Sequence, residues 1–166
     1  IEKNIDLNKL REVREIICSQ KFLSYKKNTK LRTETVSKIA SKIAVHEFVR
    51  NHVNKFQKQF VRDNSKKMGF VIDGRDIGSV VFKNADLKLY IEVNEINRAK
   101  RRYKQLIDTG EKSIYRQILK EIKLRDKKDK SRKNSPLIIP RGAKIVDNNG
   151  SFKDTLNQIN NLINKL

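Results

Sequence analysis

The sequence predicts an α/β fold, a parallel sheet flanked by helices. Three observations carry this. Short apolar runs at 70–72, 87–93 and 143–147 have the length and residue types of strands. The segments around them space their apolar residues three and four apart, as amphipathic helices do. The helical segments also open at residues suited to capping: Thr33, Asn94, Ser113 and Ser151.

Taken in order, Ile5, Leu7, Leu10, Val13 and Ile16/Ile17 predict a helix over 5–17. Residues 21–32 are basic and lack periodicity, which suits a short strand and loop. After Thr33, the residues Val36, Ile39, Ala40, Ile43 and Ala44 mark a helix, and a second runs from His46 to about Asn64. Phe70-Val71-Ile72 is continuously apolar, as a strand covered on both faces would be. The strand at 87–93 leads to Asn94 and a helix to about Ile107, with Gly110 just past its end. Ser113 opens a helix over 114–132, which Ser135-Pro136 terminates. The strand at 143–147 precedes Ser151 and a last helix to Leu166. The whole reads as one domain over 1–166. It opens with a helix where such folds ordinarily open with a strand, so the architecture reads as N-terminally truncated.

Apolar residues make up 37% and charged residues 35%, a thin core supply for 166 residues. The net charge of +20 points to a polyanionic or phosphorylated partner, although many lysines can simply form a solvated face. A single cysteine, Cys18, excludes an internal disulfide and cysteine-based metal clusters, which fits a cytoplasmic location. Cys18 lies in an apolar stretch and reads as core. His46 and His52 stand six apart, a poor spacing for metal on a helix, so no metal site is expected. No apolar run approaches the roughly 18 residues of a membrane span. Paired aromatics on a basic strand, the mark of stacked single-stranded RNA, are missing.

Three groups could carry chemistry. In Asp73-Gly74-Arg75-Asp76, two carboxylates and a guanidinium follow an apolar run, where α/β folds place ligands. Arg75 offers a donor fork for phosphate, and Asp76 offers acceptors for an amine or hydroxyl. The alternative is a tight turn whose Arg and Asp pair with each other. In 124–136, Arg125, Asp129 and Arg132 fall at i, i+4 and i+7 with Lys128 beside them. In "NRAKRRYKQL", Arg98, Arg101 and Arg102 share a face, where like charges repel unless an anion meets them. Either set could also be an exposed charged helix.

The stretches "DGRDIGSVVFKNADLKLYIEV", "RAKRRYKQL", "LRDKKDKSRKNSPL" and "AKIVDNNGSFKDTLNQI" together resemble bacterial cytidylate kinase in order, spacing and flanks. The resemblance covers about 31–166; residues 1–30 match loosely. It implies a P-loop nucleoside monophosphate kinase fold that moves the γ-phosphoryl of ATP, with Mg2+, to CMP or dCMP. It further implies that Ser41, Arg50 and Asp76 meet the cytosine base, Arg75 and Arg132 the CMP phosphate, and Arg125 and Asp129 the sugar. Arg75, Arg125 and Arg132 would be the catalytic arginines. Arg98, Arg101, Arg102 and Lys128 would belong to the ATP side and lid, with Lys128 standing where the family usually shows arginine. Phosphoryl transfer asks for positioning and positive charge rather than covalent work, and these residues would supply both.

No G-x-x-x-x-G-K-[ST] loop occurs in this sequence, and there is no glycine before Gly69. By proportion to a whole kinase domain, about 50 residues would be missing, including the ligands of the ATP phosphates and their metal. Little activity is therefore expected from this polypeptide by itself. Its expected partners are CMP or dCMP and ATP, with no nucleic acid or membrane, and it is expected to be a monomer. A basic RNA- or ribosome-binding module is the competing reading, and a poorly folding gene remnant a third.

Overall fold

The computed structural model describes residues 6–7, 9–19, 34–66 and 69–166. The chain divides into two compact units, Ile1–Val71 and Ile72–Leu166. The expected strand and loop at 21–32, and the Thr33 cap, lie outside the described residues.

The first unit is helical: α1 (Leu10–Ser19), α2 (Glu34–Ile43) and α3 (Glu47–Asp63). The periodicity predicts α1 from residue 5, but Asp6 and Leu7 are not helical. Lys9 donates its N–H to the Asp6 carbonyl instead, a turn at which the helix starts. α1 packs on α3, and Val13 on the one and Val49 on the other are nearly inaccessible to solvent. The Arg14 guanidinium covers the Phe48 ring at 5.1 Å, a cation–π contact. Cys18, expected in the core, is exposed. It sits on the face of α1 away from Val13, a position that local apolarity does not reveal.

Phe70-Val71-Ile72 is not a strand, which corrects the sequence expectation. A strand needs a neighbour to complete its ladder, and no described strand runs beside this one. Val71 is fully exposed, so the run is not covered on both faces either. Phe70 meets the Phe60 ring edge-on at 6.1 Å.

The second unit holds the sheet. β1 (Leu89–Glu92) pairs in parallel with β2 (Lys144–Asp147), in the register Leu89↔Lys144 to Glu92↔Asp147. Parallel neighbours require a long crossover, here made by α4 (Glu95–Asp108) and α5 (Tyr115–Ser131). Ala99, Leu106 and Ile118 form the crossover's core, with Leu119 and Ile122 against it. Ala99 is fully buried, and its small side chain lets the two helices approach closely. Tyr103 and Tyr115 add an edge-to-face contact at 6.1 Å.

The ends of these elements follow local chemistry. Asn94 caps α4 by accepting the Asn97 N–H at 2.8 Å. Gly110 takes a φ of 78° just past the end of α4, a left-handed conformation that glycine adopts without strain. Ser113 does not cap α5; Ile114 occupies that position, without a side-chain cap. The last helix, α6 (Phe152–Ile163), stops short of the expected Leu166. It opens on a capping box in which Ser151 Oγ accepts the Asp154 N–H at 3.1 Å and Asp154 Oδ2 accepts the Ser151 N–H at 3.3 Å. Ser151→Ala is expected to lower stability by about 1 kcal/mol, read as a shift in the urea midpoint. A change in Ser151→Ala below about a quarter of that would mean the box contributes nothing.

Candidate functional site

The Asp73-Gly74-Arg75-Asp76 stretch opens directly into a π-helical turn, Ile77–Val81. The Asp76 carbonyl accepts the N–H groups of Val80, at 2.9 Å, and Val81, at 3.3 Å. A Cβ on Gly74 would lie 2.7 Å from Ile77 Cγ1, so glycine is what lets the turn close over Ile77. Beside this turn and β1 lies a cleft of about 490 Å³, lined among others by Gly74, Arg75, Tyr90, Arg125 and Pro140.

Arg75 and Arg125 thus come from separate elements to one cleft. Arg125 is exposed and forms no hydrogen bond or ion pair with a described residue. Behind Arg75 sits Asp129, on the last turn of α5 and only 8% exposed. Its Oδ1 accepts from Arg132 Nη1 at 3.3 Å, and its Oδ2 lies 3.4 Å from Arg75 Nη1. The Arg75 contact is an ion pair without hydrogen-bond alignment, and Oδ2 accepts no hydrogen bond from a described residue. One buried carboxylate therefore joins two guanidiniums.

The helical spacing placed Arg125, Asp129 and Arg132 on one face. α5 ends at Ser131, however, and Arg132 is already extended, with φ −67° and ψ 142°. Arg132 folds back on Asp129 and also donates Nε–H to the Ser135 carbonyl. The Leu137 N–H closes on the Asp129 carbonyl at 2.8 Å, strapping the loop to the helix end.

The other arginine group is held differently. Arg98 forms a two-pronged ion pair with Asp126, Nη1 to Oδ1 at 2.8 Å and Nη2 to Oδ2 at 2.5 Å. Arg101 donates to the Asn148 carbonyl at 2.8 Å and the Gly150 carbonyl at 3.2 Å. Arg102 donates to Gln105 Oε1 at 2.9 Å. Within the protein each of the three arginines is held by its own partners, and they do not converge on one point. Lys128 is exposed on α5. Asp126 is the residue that sequence reasoning passed over. Its partner lies on another helix, and only packing of α4 on α5 brings them together. Ser41 and Arg50 belong to the first unit, on α2 and α3, and both are half-buried.

The Arg98–Asp126 pair makes a pH prediction. Hydrogen bonds from Arg98, reinforced by its charge and opposed by burial, hold the Asp126 carboxyl below its ordinary value. The same bonds raise Arg98. A carboxyl lowered by folding contributes stability above its unfolded pKa, about 4, and that stability is lost as pH falls through the folded value. The side chains keep 32% and 23% of their exposure, so solvent screens the pair. Asp126→Asn is expected to cost about 1 kcal/mol at neutral pH. It is also expected to flatten the loss of stability that sets in as pH falls below about 4. Urea midpoints across that range check it; parallel pH curves for the two proteins would contradict the pairing.

Among the described residues no three His, Cys, Asp or Glu side chains gather to hold a metal. The Mg2+ that the resemblance implies would come with ATP, whose phosphates would supply part of its ligands. No described helix is long and apolar enough to cross a membrane.

A parallel-sheet unit with guanidiniums and a buried carboxylate beside one cleft is an α/β protein equipped to meet a small anion. The family model for cytidylate kinase matches residues 3–165. The cytidylate kinase of Rickettsia rickettsii (strain Sheila Smith) is 38% identical over 164 residues, covering 98% of this chain and 72% of that protein. That of Rickettsia felis is 39% identical over 168 residues, covering 100% of this chain and 74% of its own length. That of Rickettsia canadensis is 41% identical over 147 residues, covering 89% and 65%. The chain belongs to the cytidylate kinase family, and so to the phosphotransferases.

Proposed function

We propose that this chain carries the nucleoside monophosphate site of a kinase that moves the ATP γ-phosphoryl to CMP or dCMP, on a P-loop kinase fold. The observation that carries the reading is the meeting of Arg75 and Arg125 at one cleft, with Asp129 joining Arg75 to Arg132. Guanidiniums there can hold a phosphate by paired hydrogen bonds. The Asp129 carboxylate keeps two of them close, which their own repulsion opposes. Arg75 and Arg132 take the phosphate, and Arg125 with Asp129 the sugar. Ser41, Arg50 and Asp76 select cytosine, with Asp76 accepting from its exocyclic amine. Arg98, Arg101, Arg102 and Lys128 serve the ATP side. Mg2+ enters with ATP, on ligands these residues do not supply.

Calorimetry of the chain with CMP, UMP and AMP tests this. CMP is expected to bind tightest, and Asp76→Ala to lower CMP affinity about tenfold or more while leaving UMP little changed. Equal weak binding of all three, falling steeply with salt, would favour a general polyanion binder instead.

Turnover is a separate question. The sequence contains no G-x-x-x-x-G-K-[ST] loop to cradle ATP phosphates. The 166-residue chain is expected to form no ADP in response to CMP above background in a coupled assay. Ordinary kinase rates from this polypeptide would overturn that expectation.

A further inference from the structure

Ser135 is the one non-glycine with a positive φ among the described residues, at 52°. Left-handed backbone is costly for a residue with a Cβ. The following Pro136 narrows the choices of Ser135 further. Such a conformation persists where the surroundings hold it, and among the described residues its carbonyl accepts from Arg132 Nε–H. Arg132 Nη1 is fixed separately by Asp129. Two nitrogens of one planar group are therefore anchored from two directions, one by a side chain and one by a strained main chain. Arg132 keeps only 12% of its side-chain exposure, so the anchoring works with little competition from water.

We propose that Ser135 is a positioning residue: its left-handed backbone before Pro136 aims its carbonyl at Arg132 Nε and so sets the plane of that guanidinium. The side-chain hydroxyl is not what does this; the main chain is. The inference rests on the reading of Arg132 as a phosphate contact, and it predicts which substitutions are tolerated. Ser135→Gly keeps the conformation available and retains the carbonyl. Ser135→Val, branched at Cβ, leaves the left-handed region and turns the carbonyl away. Ser135→Ala isolates the hydroxyl.

Two measurements on the 166-residue chain test it. The first is the arginine Nε–H resonance of Arg132 in 15N-labelled protein, assigned by its disappearance in Arg132→Lys. It is expected to be sharp and slow to exchange in the parent, Ser135→Gly and Ser135→Ala, and fast-exchanging in Ser135→Val. The second is the ratio of CMP to cytidine affinity, since cytidine lacks the phosphate. That ratio should hold within about twofold in Ser135→Gly and fall about tenfold in Ser135→Val. Loss of folding would weaken both ligands together and leave the ratio uninformative, but the glycine variant still decides. If Ser135→Gly loses the protected resonance, or if Ser135→Val keeps it, the proposal fails. If the resonance behaves as expected while Arg132→Lys leaves the ratio unchanged, the positioning stands and the phosphate reading of Arg132 fails.

Discussion

Asp129→Ala should destabilise the second unit by about 3–5 kcal/mol, because it removes one partner from a buried ionic cluster. The Asp129 side chain is 11% exposed and faces Arg132, whose side chain is 12% exposed. Without it, the nearly buried Arg132 loses the carboxylate to which its Nη1 donates. Arg75 retains 39% of its exposure and can turn outward, so the lower half of that range is expected. The measurement is urea unfolding followed by circular dichroism. A double variant, Asp129→Leu with Arg132→Met, should recover part of the loss, since an apolar replacement leaves no buried charge unanswered. A loss under about 1 kcal/mol in Asp129→Ala would mean that solvent already screens the cluster as it does a surface pair. CMP affinity should fall with it, and comparison with Arg75→Ala at matched stability separates the two effects.

Val146→Asp should prevent the second unit from folding cooperatively. Val146 is fully buried on β2, in register with Ile91 of β1. A carboxylate there would be taken fully out of water, and an uncompensated buried charge costs several kcal/mol. A two-stranded sheet with a small core has little reserve against that. Val146→Ala is the graded companion, expected to cost about 2–3 kcal/mol through lost burial and the cavity left behind. Native-like near-ultraviolet dichroism and an unchanged urea midpoint for Val146→Asp would mean that β2 is not packed as described.

The locally specified elements were legible in the sequence. Asn94 and Ser151 cap the helices that follow them, and Gly110 sits past the end of α4. The runs at 87–93 and 143–147 contain β1 and β2. Ser113 was misread because a serine near a helix start is only a candidate until the backbone turns at it. The Arg98, Arg101 and Arg102 face was visible, but the partners that hold it were not, since Asp126, Asn148 and Gly150 come from other elements.

Local sequence sufficed for the starts of α4 and α6, for the positions of β1 and β2, and for which arginines and carboxylates are available. Each of those depends on neighbours a few residues away. Three features came from packing alone: Arg75 and Arg132 share the Asp129 carboxylate, Asp126 holds Arg98, and 70–72 forms no strand. A strand is completed by another strand, and a buried charge by a partner that packing brings near. Neither partner is encoded in local periodicity, so both had to await the fold.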